Sequence, residues 1–196
     1  MANNARRLNE WVTAGNSNTL RTEIYQFSKY GAAIPKRIRE TAERIIVAVD
    51  VEEIAANAFN TCTKLREVVL HNKIKRINNF AFANCPELTT INLPDSISYI
   101  ASSAFYACPK LDNITLPSSI TEICSGTFNG CENLTKIVIP STVTDIDRTA
   151  FAGCKNLTIH CEKGSYAEQF AKDSNMSYTT DTTFDEDFKV YENLWD

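Results

Sequence analysis

Leu88-Thr-Thr-Ile-Asn-Leu-Pro-Asp-Ser-Ile-Ser-Tyr-Ile-Ala-Ser-Ser-Ala-Phe-Tyr-Ala-Cys108 decides the fold, because its apolar skeleton returns 23 positions later in Leu111–Cys131 and again in Leu134–Cys154. The same step links Phe59, Phe82, Phe105, Phe128 and Phe151, and Cys62, Cys85, Cys108, Cys131 and Cys154. Leu65 to Leu157 and Ile54 to Ile146 keep the register without an insertion. A period of this length means a solenoid: each repeat is one supersecondary unit that buries its apolar face only against its neighbours.

Within one repeat, Leu88-x-x-Ile91-x-Leu93 ends with the period-2 alternation of a short strand, so stacked copies predict a parallel sheet. Pro94, Pro117 and Pro140 lack an amide proton and end those strands at a corner. Ile97 and Ile100, with their equivalents, point inward from the return side. Ser102 and Ser125 read as caps of a single helical or 3₁₀ turn that carries the phenylalanine into the interior. About five such repeats run between residues 45 and 157.

The pattern L-x-x-I-x-L-P-x-S-I-x-x-I-x-x-x-A-F-x-x-C resembles the BspA-type family of bacterial leucine-rich-repeat proteins, most closely over residues 88 to 157. The resemblance extends through Leu157 to Lys172, where the register shortens by one so that Ile159 and Cys161 take inward places. It implies an α/β leucine-rich-repeat solenoid and a non-enzymatic interaction scaffold, in a family associated with surface adhesion and host-protein binding. The expected organisation is a helical N-terminal cap over 1–44, built from two helices around Leu20–Phe27 and Pro35–Ala42. The solenoid with a capping helix at Tyr166–Ala171 follows over 45–178, and an acidic aromatic tail over 179–196. Caps are expected because an uncovered last coil exposes its apolar end.

Composition narrows the function. The net charge of −4 is too small for nucleic-acid binding, but it is unevenly spread, with +4 over residues 1–44 and −5 over 178–196. No secretory h-region and no run of eighteen apolar residues is present, so the expected location is cytoplasmic, with a virion as the alternative. Five of the seven cysteines occupy one repeat column, where parallel side chains point the same way rather than at each other. They read as small packing residues, and no metal or cofactor is expected. His71 and His160 stand about four coils apart, and no nucleophile elbow, dinucleotide loop or P-loop occurs, so no catalytic residue is assigned.

The candidate binding residues are the outward strand positions Glu67, Val69, Thr90, Asn92, Asn113, Thr115, Lys136 and Val138, which form a polar, mixed recognition face. To these the tail adds Phe188, Tyr191 and Trp195, large apolar groups that should dock either on the protein's own flank or on a partner or second copy. The expected partner is a protein, with self-association through the tail as an option and neither nucleic acid nor a membrane involved. A structural subunit of a larger assembly, such as a phage particle, is the competing reading, and a surface adhesin a third if the chain is exported by another route.

Overall fold

The computed structural model describes residues 21–25 and 34–181. Its parallel strands wind into a β-solenoid of about seven turns at roughly 23 residues per turn. Three faces make each turn. The first carries the main strands β1 (Thr22–Tyr25), β2 (Arg44–Val47), β4 (Glu67–Val69), β6 (Thr90–Ile91), β8 (Asn113–Thr115), β10 (Lys136–Ile139), β12 (Thr158–Cys161) and β13 (Ser177–Thr179). The second carries the two-residue strands β3 (Glu53–Ile54), β5 (Arg76–Ile77), β7 (Tyr99–Ile100), β9 (Glu122–Ile123) and β11 (Asp145–Ile146). The third carries the Ala-Phe segments. Helix among the described residues is confined to α1 (Lys36–Thr41) and α2 (Tyr166–Asp173).

Two expectations are corrected. Around Leu20–Phe27 the described residues form not a helix but strand β1, paired in parallel with β2 through Thr22↔Arg44 to Tyr25↔Val47. Its offset of 22 breaks the 23-residue count, and β13 adds a further strand beyond β12. The stack therefore has about seven turns, with the five or so 23-residue repeats making up its middle. Second, the segments after Ser102 and Ser125 hold isolated i→i+3 turns, such as Tyr106 N–H to the Ser103 carbonyl, rather than helix, because every fourth residue is left-handed: Ser103 and Ala107, and Gly126 and Gly130, lie at φ between 55° and 79°.

These turns form a ladder of their own. Asn57, Phe59 and Thr61 donate their N–H groups to the carbonyls of Asn79, Ala81 and Ala83 in the next coil. Phe105 and Ala107 do the same to Thr127 and Asn129, and Phe128 and Gly130 to Ala150 and Ala152. Behind this ladder the five phenylalanine rings stack at 5.2, 5.5, 5.5 and 5.9 Å between centroids, within 12° of parallel. Each end is closed edge-on, by Tyr25 against Phe59 at 75° and by Phe170 of α2 against Phe151 at 66°. Edge-to-face contact suits the ring quadrupole, positive at its rim and negative on its face. Burying one such ring is worth about 1.5–3 kcal/mol.

The cysteine column does more than fill space. Cys85, Cys108, Cys131 and Cys154 donate their thiols to the carbonyls of Phe59, Phe82, Phe105 and Phe128 at 3.1–3.3 Å, tying each coil to the one before. A branched aliphatic side chain would pack there without supplying a donor.

The strand faces are less continuous. The main strands form two four-stranded sheets, β1-β2-β4-β6 and β8-β10-β12-β13, and the short strands split into β3-β5-β7 and β9-β11. Both interruptions fall at one step, between the coil that begins at Leu88 and the coil that begins at Leu111. There, a gap too narrow to admit a water molecule is lined by Ile100, Leu116, Ile120, Ile123 and Phe128.

Candidate functional site

The outward strand positions were expected to form one face, and the structure divides them. Glu67 is buried and paired with Arg44 on the neighbouring strand, with guanidinium Nε and Nη2 at 2.7 and 2.6 Å from the same carboxylate oxygen. Val69 has no exposed surface, and Val138 is 6% exposed. Asn92 is half-buried, and its amide donates to the Leu70 carbonyl and accepts from the Leu70 N–H, both at 2.7 Å, which substitutes for strand pairing. Asn113 and Thr115 are exposed, and Thr90 and Lys136 half-exposed. These four sit together, since Thr90 lies one coil before Asn113, and β8 pairs with β10 through Lys136↔Asn113 and Val138↔Thr115. The tail residues Phe188, Tyr191 and Trp195 lie outside the described residues.

The groups most often used in catalysis are engaged elsewhere. His71 occupies the column that holds proline in the next three coils, and is 1% exposed. Its Nε2 donates to the Ala48 carbonyl at 2.9 Å and its Nδ1 accepts from the Lys73 N–H at 3.1 Å. Burial holds its pKa below the ordinary 6.5, so the ring is neutral. His160 bonds the Asp181 carbonyl at 3.3 Å at the other end of the stack. The seven cysteines are free thiols, and burial pushes Cys154 up to about 11 and Cys131 higher still, which suppresses thiolate. Among the described residues, no group of three or more His, Cys, Asp or Glu side chains is placed to hold a metal ion. No described helix is long and apolar enough to cross a membrane.

The strand periodicity did not reveal the exposed aromatics. Phe80, Tyr106, Tyr166 and Tyr178 are the exposed large hydrophobic residues among those described, and the first two lie on the Ala-Phe face. The available signal was a mismatch within columns: Phe80 stands with Asn57, Ser103 and Gly126, and Tyr106 with Asn60, Ala83 and Asn129.

Comparison with known proteins places this geometry. The family model for the BspA type leucine rich repeat region matches residues 39–158 in six copies. The chain is a BspA-type leucine-rich-repeat protein. Among solved structures, this BspA-type chain is similar to the leucine rich repeat protein of T. pallidum, with a TM-score of 0.59 and 20% identity over 82% of this chain and 86% of that one. It is also similar to the pneumococcal vaccine antigen PcpA, with a TM-score of 0.57, 18% identity, and 83% and 45% of the two chains covered. A leucine rich cell surface protein of Faecalibacterium prausnitzii matches at 28% identity and a TM-score of 0.50, over 71% of this chain and 42% of that one. The latter two are thus matched over less than half their length. No curated protein matches the sequence. The family is a repeat scaffold of the kind that commonly mediates protein interactions.

Proposed function

We propose that this chain is a non-enzymatic protein-binding module whose partner rests on the middle of the main strand face, on Thr90, Asn113, Thr115 and Lys136. One observation carries the reading: the outward positions Glu67, Val69 and Val138 are buried, whereas Asn113, Thr115 and Lys136 keep polar surface side by side on the paired strands β8 and β10, with Thr90 in the same column one coil earlier. A solenoid offers just such an extended, rigid surface, with side chains in fixed register and little ordering cost on binding. Lys136 supplies a charged group for complementarity, and the hydroxyl and amide groups of the other three supply hydrogen bonds. Of the two histidines, His71 is buried and bonded at both ring nitrogens, and His160, half-buried beside Val138, bonds the Asp181 carbonyl.

The test is affinity capture from native extract by the whole chain and by Asn113→Arg and Thr115→Arg variants, with Glu132→Arg, a larger charge change, as the control elsewhere. The expected result is a protein retained by the wild type and by Glu132→Arg, and lost from the two face variants. Equal capture by all four proteins sinks the reading.

A further inference from the structure

The third face of the solenoid is chemically unlike the rest of the molecule. Its four successive segments 55–61, 78–84, 101–107 and 124–130 contain no Asp, Glu, Lys, Arg or His, in a chain that is 22% Asp, Glu, Lys and Arg. Charge returns only in the fifth copy, at Asp147 and Arg148. Close stacking explains part of this. A Cβ on Gly130 would lie 3.3 Å from the Ala107 Cα, so small residues are required there. It does not explain Phe80 and Tyr106, which are 41% and 39% exposed.

Phe80 is the more telling of the two. It sits at φ 55°, in the left-handed region where a bulky side chain costs on the order of 1–2 kcal/mol, and where its column otherwise uses Asn57, Ser103 and Gly126. It is strained and wetted at once, although the fold accepts glycine at the equivalent place. Strain of this kind points from structure toward function. Around the two rings lie amides held in chains: Asn60 donates to the Asn57 Oδ1 at 3.0 Å, and Asn84 donates to the Asn60 Oδ1 at 3.1 Å. The Asn84 N–H bonds the Tyr106 carbonyl at 2.7 Å, which places Tyr106 beside this amide row in the adjacent coil.

Exposed aromatic rings, fixed amides and no charge suit one ligand chemistry. Sugar rings present C–H faces that stack on aromatics and hydroxyl pairs that bond to amides, and a neutral glycan needs no counter-charge. Nucleic acid would require lysine and arginine, and protein interfaces concentrate arginine among their anchors. We propose that the Ala-Phe face, with Phe80 and Tyr106 as stacking platforms, binds a neutral polysaccharide running along the solenoid axis. This site is separate from the strand face proposed above and stands or falls independently of it.

Affinity electrophoresis of the whole chain tests it, in gels containing a soluble neutral β-glucan, a soluble neutral mannan or a sulfated polysaccharide. The wild type should be retarded by at least one neutral polymer and not by the sulfated one. Phe80→Ala and Tyr106→Ala should each weaken binding about tenfold, the worth of one good aromatic contact, and Tyr166→Ala should leave it unchanged. Phe80→Gly should lose binding equally while its thermal midpoint holds or rises, since glycine relieves the left-handed strain. No retardation by either neutral polymer, retardation by the sulfated polymer alone, or undiminished binding by Phe80→Gly overturns the proposal. So does a dimer, seen by light scattering, that Phe80→Gly abolishes, because the face would then belong to a second copy.

Discussion

The strand faces and the Ala-Phe face answer the same repeat in different ways. Both main and short strands lose their pairing at the step between the Leu88 coil and the Leu111 coil. At that step the Ala-Phe ladder keeps three bonds, from Ser103, Phe105 and Ala107 to Ser125, Thr127 and Asn129, and the Phe105 and Phe128 rings stay 5.5 Å apart and 1° from parallel. Leucine-rich repeats are usually pictured as sheets with a decorated back. Here the back carries the backbone ladder across the step, and Asp95 adds side-chain and carbonyl bonds to Ser118 and Ser119 at the corner.

Breaking that join should have the largest effect. Phe105→Ala is expected to cost about 3–5 kcal/mol, the range for deleting a buried aromatic ring, and urea unfolding followed by fluorescence should lose its single transition. A one-step curve shifted by less than ~1 kcal/mol would show that the strands, not the rings, carry the seam. Next in size is Glu67→Ala. It leaves the Arg44 guanidinium buried without that carboxylate and should cost about 3 kcal/mol, read as a shift of the denaturation midpoint, without splitting the transition. A split there would move the weak point into the first sheet.

A glycine pair sharpens the comparison further. Gly130 and Gly164 both have left-handed φ, 79° and 83°, but a Cβ on Gly130 meets Ala107 whereas one on Gly164 meets nothing within 4 Å. Gly164→Ala should therefore cost about 1–2 kcal/mol from backbone strain alone, and Gly130→Ala more, by thermal unfolding. Equal costs would mean that the coils of the Ala-Phe face have room to spare. The smallest effect is a pH dependence confined to the first sheet. The folded pKa of His71 lies below its unfolded value of 6.5, so the unfolded chain takes up the proton first. Stability should be full above pH 6.5, fall as the pH drops through the window between the two values, and level off below the folded pKa. His71→Gln should flatten that slope, and an unchanged slope would exclude His71 as its source.

Much of this was legible in the residues and some of it was not. The Phe, Cys, Leu and Ile columns are spaced by one number, so period alone put them inside. Phe59, Phe82, Phe105 and Phe128 are fully buried and Phe151 nearly so. Thr22–Tyr25 escaped because four residues give too little alternation to separate strand from helix, and its offset of 22 hid it from the count. The seam left no trace in the columns either, because Ile91 and Ile114 are in perfect register although their strands do not pair. Side-chain direction was readable along the strands, and so was the exposure of Asn113 and Thr115. The burial of Val69 is not encoded in the period, whereas the Arg44 partner of Glu67 is, since it stands 23 positions earlier in the same strand column. Phe80 was passed over because the left-handed φ its column shares, which makes a bulky residue there unusual, is not written in the period.

The Ala-Phe ladder has one more consequence. In its bonds from one coil to the next, the N–H points toward the C-terminal coil and the carbonyl toward the N-terminal one. Peptide dipoles in a sheet largely cancel, and here they add, as they do along a helix. One end of the stack is therefore a row of carbonyls, where the Arg39 guanidinium meets the Asn60 oxygen, and the other is a row of amides at Phe151 and Gly153. The sequence runs its formal charges the opposite way, +4 before residue 45 and −5 after residue 177. The ladder is thus polar along the solenoid axis, and the chain carries its positive charge before the carbonyl end and its negative charge after the amide end.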